Sequence, residues 1–275
     1  MMELNPIKAI FDVLSRMSPR ARTRLWKLWY DLLPDLDADN DLLFMNYGYA
    51  GPDSTSPGLD LATGDERYRY CIQLYHRVWK DTGIEGQRTL EVGCGRGGGA
   101  AYVARQLRPA LMVGMDFSPK ALRLCRELHS ESNLAFACGR AELLPFADEL
   151  FDVVASVESS HAYASSELFF SEARRVLRHK GVLLLADFRD RCALPALRKQ
   201  MEDSGLEIVR EDIITPCVVR ALDLDHDRKL HLIRRKVPRP LVKVFLSFAA
   251  TRDSKTYRSF ASRESEYFHF VLRKP

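Results

Sequence analysis

The chain has 275 residues, 46% hydrophobic and 28% charged, enough apolar material for one well-buried core with a smaller unit attached. Its 41 basic and 37 acidic residues leave a net charge of +4, too small to argue for a nucleic-acid partner. The six cysteines (71, 94, 125, 138, 192, 217) form no C-x-x-C pair and no Cys/His cluster, which speaks against a metal site and for reduced thiols in a cytoplasmic protein.

In chain order, Met1 to Pro6 lack the charged and apolar regions of a secretory leader, and no apolar run reaches membrane-spanning length. Residues Ile7 to Leu33 keep helical spacing of their apolar positions, with Ser18-Pro19 dividing two helices. An apolar helix there would suit a homodimer. Residues Pro34 to Gly64 are rich in Asp, Gly, Pro and Ser and read as a loop that closes over a ligand, with Tyr47 and Tyr49 as contact candidates. Tyr68 to Lys80 is expected to be a helix.

The apolar run Thr89 to Val92 then breaks into five glycines within Gly93 to Gly99, followed by helix-like Ala100 to Leu107. A strand feeding a glycine loop that opens a helix is a nucleotide-binding turn. Glycine lets a ligand approach the backbone, and the helix start offers N–H donors. Gly93-x-Gly95-x-x-Gly98 also fits a dinucleotide loop, so the glycines alone do not choose the ligand.

Leu111 to Met115 reads as a second strand ending at Asp116, with Ser118-Pro119 starting the next helix. An acid in that place can accept ribose hydroxyls, and Phe117 can lie against a base. A further strand runs from Asp152 to Val157, and its end lies where open α/β sheets bind ligands. Glu158 and His161 follow within about a turn. Val182 to Ala186 is a continuous apolar run typical of a strand buried on both faces, ending at Asp187. The basic segment Glu172 to Gly181 before it is expected to close a helix. A helix (Cys192 to Ser204) and a strand (Leu206 to Ile214) follow. Residues 215–262 are expected to form a helical cap inserted before the last strand, Tyr267 to Leu272. The resulting division is 1–64 for N-terminal helices and lid loop, 65–214 for a Rossmann-like core, 215–262 for the cap and 263–275 for the last core strand.

Glu91-x-Gly93-x-Gly95-x-Gly97 resembles the first motif of class I S-adenosylmethionine (SAM)-dependent methyltransferases. The resemblance implies an α/β fold with a seven-stranded, mostly parallel sheet. It implies that Gly93, Cys94, Gly95 and Gly97 line the methionine half of the cofactor, with Glu91 holding polar groups of the site. Cys138-Gly139-Arg140-Ala141-Glu142 resembles the family's adenine-reading segment, but Arg140 stands where an aspartate is usual and has donors only. Adenine recognition would then rest on the Ala141 N–H, with Arg140 and Glu142 as further contacts. Val157 and Tyr47 complete the cofactor set. A closer resemblance is to the phthiotriolone and phenolphthiotriolone dimycocerosate methyltransferases and related polyketide O-methyltransferases. It is carried by Phe44 to Tyr49, Leu74 to Arg77, the glycine loop and Val157 to Tyr163. It implies a hydrophobic alcohol as acceptor.

For an alcohol the protein must align the nucleophile and remove its proton, a task suited to histidine. His161 is the candidate base, Glu158 or Asp187 the group that orients its ring or holds the hydroxyl, and His76 the second choice. Two other readings stay open: C- or N-methylation of a natural product, and a SAM-binding protein of this fold with a non-methylating reaction such as cyclisation. Basic stretches at Arg20 to Lys27 and Arg228 to Lys243 read as solvated helix faces. The alternative for them is contact with a membrane surface, a lipid-like acceptor or an acidic carrier protein.

Overall fold

The computed structural model describes residues 42–51 and 59–275. The expected helices of Ile7 to Leu33, the basic stretch beside Trp26 and the dimer contact expected there lie outside the described residues.

Seven strands form one sheet: β1 (Arg88–Val92), β2 (Leu111–Asp116), β3 (Leu134–Cys138), β4 (Phe151–Val157), β5 (Leu177–Asp190), β6 (Glu207–Ile213) and β7 (Ser265–Arg273). Their order is β3-β2-β1-β4-β5-β7-β6. The first five run parallel, and β7 runs antiparallel to both β5 and β6. This is the expected α/β architecture. The apolar run Val182 to Ala186 of β5 and the mostly apolar sequence of β4 follow from burial on both faces. Val153, Ala155, Val157, Leu184 and Ala186 pack into one core layer, while Val154, Leu183 and Leu185 pack into the other. Each of these side chains is at most 5% exposed. Fully burying a leucine or valine contributes about 1.5–3 kcal/mol, so the two layers anchor the strand ends on which the site is built.

The helices are α1 (Arg69–Trp79), α2 (Gly98–Gln106), α3 (Pro119–Leu128), α4 (Ser166–Val176), α5 (Leu194–Asp203), α6 (Thr215–Leu224), α7 (His226–Lys236), α8 (Val242–Phe248) and α9 (Lys255–Ala261). Ser118 caps α3 by accepting from the Ala121 N–H at 3.3 Å, with Pro119 in the first turn. Helices α6 to α9 fill the span between β6 and β7. No described helix is long and apolar enough to cross a membrane.

The start of β5 differs from expectation. The helix before it stops at Val176 rather than running on to Gly181, and Leu177 already pairs with Phe151. The residues His179 to Gly181 make a kink within the strand: Lys180 has φ +62°, and a side chain on Gly181 would meet the Arg178 carbonyl oxygen at 2.8 Å. Leu177 is fully buried, so its pairing outweighs continuation of a basic, solvated helix. At its other end β5 runs on through Asp190, and that extension pairs with the start of β7.

Candidate active site

The glycine loop is tied to the end of β2. The N–H groups of Gly93 and Cys94 donate to the Met115 carbonyl at 2.8 and 3.0 Å, and the Gly95 N–H donates to Asp116 Oδ2 at 3.0 Å. Asp116 Oδ1 accepts from the Ser118 N–H at 2.9 Å. Gly93 has φ +80°, and a Cβ there would lie 2.5 Å from Ser159. At Gly99 a Cβ would fall 1.9 Å from the Tyr75 ring. The loop can therefore lie against both neighbours only as glycine.

Around this loop lies a cleft of about 680 Å³. Its walls include Leu43 to Asn46, Gly93, Cys94, Gly95, Gly99, Asp116, Phe117, Arg140, Glu142 and Val157 to Ser159. The cleft brings together most of the residues expected to bind a cofactor. Glycines leave an open cradle at one end, a buried carboxylate with an adjacent aromatic ring stands on the wall, and the volume suits a nucleoside-sized ligand. The residues present thus fit S-adenosylmethionine.

Four expected contacts are placed differently. Gly97 does not line the cleft: a Cβ there would meet Phe136 and His129 at 3.0 Å, on the side of β3 and α3. Glu91 is fully buried behind the loop and accepts from the Tyr75 hydroxyl at 2.5 Å, so it acts on the cleft through Tyr75, which does line it. Burial pushes the Glu91 carboxyl up to about 7, against the Tyr75 hydrogen bond, and its Oε2 has no hydrogen-bond partner among the described residues. The Ala141 side chain packs in the core, which leaves only its backbone to face a ligand. Tyr47 is a wall of two other cavities, and its ring lies 5.5 Å from those of Phe188 and Phe260. Arg140 keeps an ion pair with Glu142 at 3.5 Å, and Glu142 Oε1 accepts from the Ala164 N–H at 2.6 Å.

Next to the cleft, the segment after β4 meets the extension of β5. His161 Nδ1 lies 2.9 Å from Asp187 Oδ1. The same carboxylate accepts from the Ser160 hydroxyl at 2.6 Å and the backbone N–H groups of His161 and Phe188 at 2.9 and 2.8 Å. Arg189 stands 3.4 Å from it. Burial alone would raise the Asp187 pKa. His161, Arg189 and the hydrogen bonds overcome it and hold the carboxyl well below the usual carboxylate range. An ionised Asp187 accepts from Nδ1–H and so fixes the tautomer in which Nε2 is the acceptor nitrogen. The Phe188 ring, 4.7 Å away, backs the imidazole.

Glu158 closes the other side. It adopts φ +48°, uncommon for a residue with a side chain. Its Oε1 accepts from the Tyr47 N–H at 2.7 Å and the Tyr267 hydroxyl at 2.9 Å, while Oε2 takes no hydrogen bond among the described residues. Burial pushes its carboxyl up to about 8; Asp187 adds to the rise, and Tyr47, Tyr267 and Lys229 oppose it. His76 is elsewhere, 3.0 Å from the Tyr102 hydroxyl, in a packing role.

Three cavities meet at these residues. Glu158, with Phe44, Met45 and Asn46, lines both the cleft and an inner cavity of about 160 Å³. His161, with Tyr47, Phe188 and Phe248, lines both that inner cavity and an outer groove of about 940 Å³. Sequence reasoning missed Tyr75 and Tyr267, and it read Lys229 only as part of a basic stretch on a solvated helix face, whereas the residue is buried. Lys229 had a readable signal, because it sits four residues before the buried Ile233 on the same helix face.

A methyltransferase-domain family model matches residues 90–185. The chain is 35% identical over 269 residues to a fatty-acid O-methyltransferase of Mycolicibacterium smegmatis, covering 98% of this chain and 97% of that one. It is 35% identical over 251 residues to a phthiotriol/phenolphthiotriol dimycocerosates methyltransferase of Mycobacterium leprae, covering 91% and 92%. The fold is shared with geranyl diphosphate C-methyltransferase of Streptomyces coelicolor, solved with S-adenosyl-L-homocysteine (SAH), at TM-score 0.66 and 15% identity, over 92% of this chain and 98% of that one.

Proposed function

This chain belongs to the S-adenosylmethionine-dependent methyltransferases, and on that premise we propose that it methylates a hydroxyl oxygen of a hydrophobic, lipid-like or polyketide-like acceptor with His161 as general base. When bound, S-adenosylmethionine supplies a methyl group made electrophilic by its sulfonium. On this reading the backbone of Gly93 to Gly95 holds the methionine half. Asp116 accepts the ribose hydroxyls, and Phe117, the Ala141 N–H and Arg140 face the base. The acceptor lies in the inner cavity and outer groove, with residues 215–262 as the cap over it. Its hydroxyl donates to His161 Nε2, which takes the proton, and Asp187 positions the ring and stabilises the imidazolium. Glu158 stands between cofactor and acceptor. The apolar walls exclude water from the reacting oxygen.

The observation that carries this reading is the His161–Asp187 pair, 2.9 Å apart, in an apolar cavity that shares Glu158 with the cofactor cleft. The six free cysteines suit a cytoplasmic setting. The basic end of α7 (Arg234, Arg235, Lys236) suits contact with an anionic membrane or an acidic carrier that delivers the acceptor. The test is incubation with SAM and a set of long-chain alcohols and hydroxy acids, followed by mass spectrometry. A product heavier by one methylene, with the methyl on oxygen and SAH formed in equal amount, is expected. A methyl on carbon or nitrogen, or SAM binding with no transfer across the set, rejects it.

A further inference from the structure

The inner cavity contains a cation that transfer to a plain alcohol leaves unused. Lys229, on α7, is buried and lines this cavity together with His161 and Glu158. Its ammonium has three donors, yet its contacts among the described residues are long: the Tyr47 carbonyl at 3.5 Å and Asp225 Oδ2 at 3.9 Å. Asp225 is engaged by Arg228, whose Nε and Nη2 donate to its two oxygens at 2.5 and 2.6 Å. An ammonium removed from water without a close partner is destabilising, and an anion entering the cavity relieves it.

Size adds a second constraint. The inner cavity, about 160 Å³, is close to the roughly 150 Å³ that accommodates a benzene ring and so suits a short arm. The outer groove, about 940 Å³, takes the long one. His161 lines both.

We infer that Lys229 binds a carboxylate on the acceptor, which makes the acceptor a long-chain hydroxy acid whose hydroxyl lies a few atoms from its carboxylate. The carboxylate sits at Lys229 in the inner cavity, the hydroxyl at His161, and the alkyl body in the outer groove. The inference rests on the hydroxyl-methylation reading above and narrows its substrate class.

The test is a binding measurement on the SAH-loaded protein by calorimetry. The ligands are a medium-chain acid with its hydroxyl two carbons from the carboxyl carbon, and the methyl ester of that acid. The wild type is expected to bind the acid about 10- to 100-fold more tightly than the ester, the range for a buried charge-assisted hydrogen bond. That preference should collapse in Lys229→Met and persist in Lys229→Arg. Equal affinities in the wild type, or a preference that survives Lys229→Met, overturns the inference. If Lys229→Met does not fold, the wild-type comparison decides alone. Binding does not depend on His161 chemistry. Failure of the hydroxyl-methylation reading would show separately, as turnover indifferent to His161→Ala or a methyl placed on the carboxylate.

Discussion

His161 and Glu158 lie three positions apart in the chain and have different partners. The helical-type turn at Ser160 to Ala162 brings His161 back onto Asp187, whereas the left-handed backbone at Glu158 turns its carboxyl to Tyr47 and Tyr267. Replacing His161 with alanine is expected to lower turnover of a hydroxyl acceptor about 100- to 10,000-fold, the usual share of a general base, while calorimetry still detects SAM binding. Asp187→Asn should also lose most turnover, because an amide no longer fixes the Nδ1–H tautomer; steady-state rates with and without the substitution check it. Glu158 provides a pH test of the ligand-free protein. Its ordinary value near 4.5 is raised to about 8 in the fold, so the folded state binds that proton more tightly. The stability this contributes is complete below the unfolded value and is lost as pH rises through the folded one. Glu158→Gln keeps a neutral acceptor for Tyr47 and Tyr267. Its melting temperature relative to wild type should therefore rise between about pH 5 and about pH 9, and a flat difference would contradict the assignment. These three residues were readable from their place after apolar strands. Which acid serves which partner was not, because backbone geometry at Glu158 and the extension of β5 decide it.

The glycine-opened helix α2 and the serine-capped helix α3 are legible in the sequence because a cap and a close approach each demand one residue type. Gly99→Ala would put a methyl into the Tyr75 ring, which in turn hydrogen-bonds Glu91. Overpacking of this kind costs about 1–3 kcal/mol, and here the shift of Tyr75 should also weaken SAM binding; thermal melting and calorimetry read the two effects. Strand β5 was half legible. Its apolar centre, Val182 to Ala186, announces burial on both faces. Its true start depends on pairing of Leu177 with Phe151, and its true end on pairing of Asp190 with Ser265, seventy-five positions away. Local periodicity carries no record of such partners.

Across the molecule, the segment from Leu43 to Asn46 lies over the glycine loop: a Cβ on Gly98 would meet the Leu43 carbonyl at 2.8 Å, and one on Gly95 the Met45 side chain at 2.9 Å. A ligand in the cleft is thus held from two directions. SAM at about 100 times its dissociation constant should stabilise the fold by about 2.7 kcal/mol. It should also slow amide exchange in residues 42–46 together with 93–99; protection of the glycine loop alone would contradict a shared wall. By itself the sequence determined most of the strands and helices along the chain, the glycine loop and the acids and histidine at the strand ends. Each of these rests on local rules of burial period, glycine geometry and capping. Only the tertiary structure decided the rest. It placed Tyr47 in the walls of the inner cavity and outer groove, set Glu91 behind Tyr75, turned Gly97 away from the cleft and buried Lys229 in the inner cavity that His161 also lines. Those placements depend on which distant surfaces pack together, and a side chain's surroundings are set by that packing rather than by its neighbours in the chain.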